Sequence, residues 1–284
     1  MATKRNKPLL GVRNALTHTL LIVGAIAMLY PLLWMLSSSF KPPWLIFREP
    51  GLWPSAVTVD NYIRGWVALG VPFGRFFLNS LLIASLAVIG TVLSSSVTAY
   101  AFARLEFPLK RLWFALMLMT IMLPTHVTLI PQYIFFLNLG WVNTFYPLFV
   151  TEFFATSAFF VFLNIQFIRG IPRELDEVAE VDGASHFQIF TRIIFPLSTP
   201  ALITTAVFTF IWNWDNFFSQ LLYISDIRLH TVPLALRVYS DASGDSSFGP
   251  LFAMSCLSLV PVFLLFVLAQ RFLVQGIATT GTKG

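Results

Sequence analysis

Six long apolar runs limit what this chain of 284 residues can fold into. They lie at about residues 17–39, 77–103, 112–136, 144–168, 198–224 and 250–272. A bilayer core is about 30 Å thick, so a spanning helix needs roughly 20 mostly apolar residues. Each run meets that length, and none carries the polar stripe of a soluble amphipathic helix. Inside a bilayer every backbone polar group must be satisfied within the protein, and a helix does this within its own segment. The expected fold class is therefore an all-α membrane protein with six transmembrane helices. Composition agrees: 57% of residues are hydrophobic and 11% are charged, against roughly 25% charged in ordinary globular domains.

The first run follows Lys4, Arg5, Lys7 and Arg13 and so has the look of a signal peptide. Its apolar stretch is about twice a usual signal core and no small-residue cleavage site follows, so it reads as a retained helix. The distribution of basic residues sets the orientation. Lys4, Arg5, Lys7, Arg13, Arg104, Lys110, Arg111, Arg169, Arg173, Arg192, Arg271 and Lys283 fall on one side. Only Lys41, Arg48, Arg64, Arg75, Arg228 and Arg237 fall on the other. Both termini are thus expected in the cytoplasm. The net charge of +5 comes from basic residues flanking apolar runs, a membrane-protein pattern rather than a nucleic-acid surface. The one cysteine, Cys256, sits in an apolar run and can form no intrachain disulfide.

The most informative segment is the long inside loop, residues 169–197. It reads GIPRELDEVAEVDGASHFQIFTRIIFPLSTPA from Gly170 onward. Gly170 ends the preceding span, and Pro172 suits a first helical turn, where its missing N–H is no loss. Glu174, Asp176 and Glu177 place negative charge near a helix N-terminus, worth ~0.3–1 kcal/mol each. Leu175, Val178 and Ala179 are three and four apart and are expected to share a face. Asp182 and Gly183 interrupt the helix, with glycine suited to a positive φ. Phe187, Phe190, Ile193 and Ile194 form a second amphipathic stretch, and Pro196 and Pro200 mark re-entry into the membrane.

This loop resembles the EAA loop of binding-protein-dependent ABC importers: Glu-Ala-Ala, three residues, Gly, nine residues, Ile-x-Leu-Pro. Here Glu177, Val178 and Ala179 precede Gly183 by the same spacing, and Ile193, Ile194, Phe195 and Pro196 follow at the right distance. Val178 and Phe195 depart from the pattern, both by apolar substitution. The resemblance implies a type I ABC importer permease fold, with residues about 172–190 docking in a groove on a separate ATPase. The expected coupling residues are Glu177, Val178, Ala179, Asp182, Gly183 and Pro196.

The fifth run (FTFIWNWDNFFSQLLYISD), the later HTVPLALRVY and the ending AQRFLVQGIATTGTKG narrow the likeness. Together they resemble maltose-permease-like carbohydrate-uptake permeases. That resemblance implies a second permease subunit in a heterodimer, an ABC ATPase dimer and an extracytoplasmic solute-binding protein, with no nucleic acid. It also implies a multi-pass protein of a bacterial or archaeal inner membrane, importing a sugar or related solute. No Gly-Lys-Ser/Thr phosphate loop occurs, so no enzymatic activity, cofactor or metal is expected in this chain, and ATP and Mg belong to the partner. The implied domains are an N-terminal segment at 1–16, the six-helix permease domain at 17–272 and a tail at 273–284. The tail, from Gln275 on, is expected to be extended and to reach the ATPase interface. The outer loop at 225–249 is expected to touch the binding protein.

Charged groups at bilayer depth cost ~2.5–3.5 kcal/mol and usually face a cavity or a partner. Glu152 is expected roughly 13 Å into span four, counted at 1.5 Å per residue. His126 lies between Pro124 and Pro131, and Trp212, Asn213, Trp214, Asp215 and Asn216 cluster in span five. These groups either line a solute path, where hydrogen bonds and ring stacking suit a sugar, or bond helices together. Competing readings are an ion-coupled secondary transporter, with Glu152 or Asp215 as relay, and an intramembrane enzyme. No His-Glu-x-x-His spacing supports the enzyme.

Overall fold

The computed structural model describes residues 7–241 and 248–281, with side chains for 14–124, 127–241 and 248–272. Lys4, Arg5, the 242–247 stretch and residues 282–284 lie outside the described residues, as do the side chains of Lys7, Arg13, His126 and Gln275. The described residues form helices and connecting turns with no strand. In chain order the helices are α1 (Lys7–Ser39), α2 (Asp60–Val67), α3 (Phe73–Arg104), α4 (Lys110–Met122), α5 (Thr125–Asn138), α6 (Tyr146–Phe149) and α7 (Ala158–Arg169). Then come α8 (Glu174–Val181), α9 (His186–Ile189), α10 (Phe195–Leu197), α11 (Thr199–Trp214), α12 (Phe218–Tyr223), α13 (Val232–Asp241) and α14 (Phe248–Gly281).

Four helical segments among the described residues are long and apolar enough to cross a bilayer, and two bent pairs raise the number to as many as six. The broken spans differ from the continuous ones read from sequence. The third is interrupted at Leu123–Pro124; a residue before proline is driven out of the helical region. The fourth contains a 3₁₀ turn (Val150–Phe154) and a left-handed Ala155 with φ 54° before α7 starts. The fifth ends at Trp214 and resumes only at Phe218, and its entry from α10 is bent by 74°. The tail expected to be extended is helical as far as Gly281: the single Gly276 costs about 1 kcal/mol, too little to stop a helix.

The chain divides into two compact units: residues 1–70 with 238–257, and residues 71–237 with 258–284. In the first, Lys41 is fully buried and its Nζ donates to the carbonyls of Glu49 and Gly51, both at 2.7 Å. This closes the loop after α1, with the Glu49 carboxylate as a nearby counter-charge. Asn61, on α2, donates to the carbonyls of Ser39 and Lys41, each at 2.8 Å. The Tyr239 hydroxyl donates to the Gly65 carbonyl, and burial pushes that phenol up to about 12, so it remains a donor at any working pH.

In the second unit α3 is the hub. Beside larger residues such as Phe76, Ile83 and Tyr100, its buried positions include Ser80, Ala84, Ala87, Gly90, Thr91, Ser95, Ala99 and Ala103. Small residues of this kind let membrane helices approach closely. Asn164 of α7 is fully buried and donates to Ser95 Oγ on α3 (3.3 Å) and Thr205 Oγ1 on α11 (3.1 Å). One amide thus ties three helices. Gly90 is a close fit: a Cβ there would come within 2.7 Å of the Phe153 ring and 3.1 Å of the Glu152 backbone carbon. Gly90→Ala is expected to destabilise by about 1–3 kcal/mol, the usual cost of overpacking. A detergent melting curve checks this, and an unchanged midpoint would contradict the packing.

Candidate functional site

The inside loop folds as the sequence pattern requires. Arg169 ends α7, and Gly170 caps it. Acidic residues fill the first turn of α8. Gly183 takes φ +81°, and its N–H and that of Ala184 bond back to Glu180 (3.0 Å) and Ala179 (2.9 Å), turning the chain within one residue. Ser185 then starts α9 with a reciprocal cap: its hydroxyl accepts from the Gln188 N–H while the Gln188 side chain accepts from the Ser185 N–H.

A tether absent from the sequence reading holds α8 to the membrane helices. Arg104, at the end of α3, has Nε 2.6 Å from Asp176 Oδ2, and its Nη2 donates to the Ile171 carbonyl at 2.8 Å. Both side chains are largely buried, 5% and 13% exposed. Burial pushes the Asp176 carboxyl above its ordinary value, and the Arg104 charge opposes this. The pair is therefore a positional device more than a source of stability. Ala179 and Ala184 pack on a cluster formed by Ala99, Tyr100, Ile165, Ile168, Ile189 and Ile194. The helix thus rests on α3 and α7 rather than hanging in solvent.

The expected apolar face of α8 is divided. Ala179 turns inward, but Leu175 (42%) and Val178 (63%) are exposed, together with Val181 (88%) and Phe187 of α9 (73%). The inward side is occupied by Asp176 and Ala179 instead. Glu177, Asp182, Gly183 and Pro196 are also exposed. A tethered helix thus presents apolar side chains on the side away from its anchor.

The span-five cluster does not share one face. Trp214 is buried, its Nε1 donates to the Ser258 carbonyl at 3.1 Å, and its ring packs on Phe77 and Phe210. Asn213 donates to the Thr209 carbonyl at 3.0 Å, and Asn216 caps α12 by accepting from Ser219 N–H at 3.1 Å. Trp212 and Asp215, three residues apart, are exposed. Glu152 sits in the 3₁₀ turn of span four, not on a continuous helix: Thr91 Oγ1 donates to Oε2 at 2.8 Å, and Ser94 Oγ to its carbonyl at 2.7 Å. The nearby polar node of Gln220 with Thr231 was not singled out in the sequence.

The family model described as "Binding-protein-dependent transport system inner membrane component" matches residues 90–278, which include the whole inside loop. The chain belongs to that family. Among its curated relatives, the trehalose/maltose transport system permease protein MalG of Thermococcus litoralis is 33% identical over 276 residues. That alignment covers 95% of this chain and 99% of MalG. The probable ABC transporter permease protein YurM of Bacillus subtilis is 33% identical over 264 residues, 93% of this chain and 87% of that one. In fold, the chain is similar to a chain of a solved bacterial ABC transporter "involved in the import of the acidic polysaccharide alginate". The TM-score is 0.83 at 20% identity, covering 96% of this chain and 99% of that one.

This binding-protein-dependent inner membrane component is a multi-pass membrane permease subunit of an ABC importer. Its family works with an ATPase, a substrate-binding protein and a second permease. An ion-coupled carrier is set aside by the family match.

Proposed function

We propose that this permease forms half of the translocation pathway for a sugar or related solute. Both termini lie in the cytoplasm, and Glu177, Val178, Ala179, Asp182, Gly183 and Pro196 form the docking segment for the ATPase. The chain carries no nucleotide site, and its partner permease is a distinct, homologous chain. The observation that carries the coupling reading is an exposed apolar surface (Leu175, Val178 and Val181 of α8, Phe187 of α9), with α8 fixed to α3 by Arg104 and Asp176. A lever transmits motion only if it is stiff and anchored. Support for a sugar or related solute comes from the relatives, whose names specify trehalose/maltose, diacetylchitobiose and arabinooligosaccharides, and in one case the polyol phosphate sn-glycerol-3-phosphate.

Within span five, Trp212 and Asp215 are the members whose exposure suits contact with a passing solute. Trp214, Asn213 and Asn216 are engaged in holding the helix break. Glu152 and His126 remain pathway candidates, the latter with its side chain outside the described residues. Trp212→Ala is expected to lower binding-protein-dependent uptake about tenfold, the loss of roughly 1.4 kcal/mol of transition-state contact, while ATPase stimulation by the binding protein persists. Uptake into proteoliposomes holding both permeases and the ATPase measures this. Unchanged uptake removes Trp212 from the path.

A further inference from the structure

The short helix α2 carries three distinct faces. Asn61 and Gly65 are buried against the rest of their unit, and Asp60 and Arg64 form an exposed ion pair at 3.4 Å. Ile63 and Trp66, three residues apart, are 63% and 44% exposed, and Val67 (58%) lies at the edge shared with Asp60. Two large apolar side chains on one exposed face, with a third at its edge, make a poor surface for water.

The depth of α2 says what meets that face. Its buried side lies on the outer end of the last span, α14: a Cβ at Gly65 would touch the Met254 side chain at 2.9 Å and the Pro250 carbonyl at 3.3 Å. Met254 lies six residues inside the start of α14 at Phe248, roughly 9 Å along the helix at 1.5 Å per residue. On its other flank, the Tyr62 hydroxyl is 2.8 Å from Ser39 Oγ at the end of α1. Phe47, 58% exposed, stacks edge-on to Phe248 at 5.0 Å, marking the same level. The helix is therefore level with the first turns of a span, where lipid headgroups meet acyl chains.

We propose that α2 is an interfacial membrane helix of the outer leaflet. Ile63 and Trp66 sit in the headgroup–acyl boundary, Val67 lies at its edge, and the Asp60–Arg64 pair faces water. The division into an apolar and a charged face is the pattern of helices that lie in the bilayer plane, and a tryptophan ring suits that boundary. The occupant is lipid because α2 is seated between the last residue of α1 and the first two turns of α14, which leaves its apolar face at the outer margin of the spans. The leaflet assignment rests on the cytoplasmic placement of the termini proposed above.

The test uses the complete importer in nanodiscs, with Cys256→Ser as background and single Ile63→Cys, Trp66→Cys and Arg64→Cys variants carrying an environment-sensitive fluorophore. Only variants that retain ATPase activity are read. Labels at 63 and 66 are expected to be quenched by shallow brominated phosphatidylcholine about threefold more strongly than the label at 64, with or without binding protein. Equal quenching by aqueous iodide at all three positions overturns the proposal. So does protection that appears only when binding protein is added, or protection from both quenchers, which would assign the face to a protein partner. If neither apolar-face variant assembles, Trp66→Phe in the native chain gives the same reading: the fraction of tryptophan emission quenched by the brominated lipid must fall. Failure of this proposal leaves ATP-dependent uptake intact, whereas failure of the importer reading removes that uptake.

Discussion

Gly183→Val is expected to lower ATP-driven solute uptake by tenfold or more while membrane insertion and assembly remain at the level of the parent. Gly183 has φ +81°, and a Cβ built on it meets nothing within 4 Å. Within the chain, therefore, the penalty is conformational rather than a clash. A left-handed conformation costs an ordinary L-residue about 1–2 kcal/mol, more for a β-branched one. That is too little to unfold a membrane domain, but it is applied at the turn that sets the direction of α9 relative to α8. The substitution also adds bulk on the exposed side proposed to meet the ATPase. Gly183→Asn separates the two effects. Asparagine tolerates the left-handed region, so it should retain uptake if backbone strain dominates and lose it if bulk at the contact dominates. Quantitative uptake, with detergent gel filtration as the assembly check, reads both variants. Normal uptake by Gly183→Val would contradict the assignment of this turn.

Arg104→Ala is expected to have the larger effect on stability. It removes the 2.6 Å approach to Asp176 and the 2.8 Å bond to the Ile171 carbonyl together. The Asp176 carboxylate is left with only the weaker influence of Arg173, and removing one member of a buried pair typically costs about 3–5 kcal/mol. With α8 detached from α3, the ATPase should still hydrolyse ATP while uptake falls below a tenth of the parent rate. Arg104→Lys should rescue poorly, because one ammonium on a flexible stem does not reproduce a guanidinium that contacts two acceptors. The double change Arg104→Met with Asp176→Leu should recover much of the melting temperature, since it leaves no buried charge. Thermal unfolding, uptake and ATPase rates on the four proteins test this; equal melting of the single and double variants would contradict it.

Much of the fold was legible because its signals are local. Apolar length announced the spans, and Gly170, Gly183 and the acidic first turn of α8 each met a conformational need of their own position. The breaks were harder to see. Pro124 carries a steric reason to interrupt span three, but nothing about alanine predicts the left-handed φ of 54° at Ala155, a residue packed against a cluster that includes Ala99 and Phe102 of α3. The polar run Trp212–Asn216 was read as one chemical cluster. It is instead where α11 stops, so that Trp214 faces the interior while Trp212 and Asp215 face outward. The Arg104–Asp176 pair and the Asn164 node join residues far apart in the chain, and no spacing rule connects them. Which edge of the α8 face is buried was hidden for a related reason. Helical spacing grouped Leu175 with Ala179, but the pull of Arg104 on Asp176 turns the acidic residue inward and leaves Leu175 outside.

The most direct test of coupling through the inside loop places a photo-crosslinking side chain at Phe187, which is 73% exposed, in the complete importer in proteoliposomes. The expected product is a covalent adduct with the ATPase subunit in both nucleotide-free and ATP-bound states, absent when the ATPase is omitted. Adducts confined to lipid or to the second permease, with uptake intact, would contradict it.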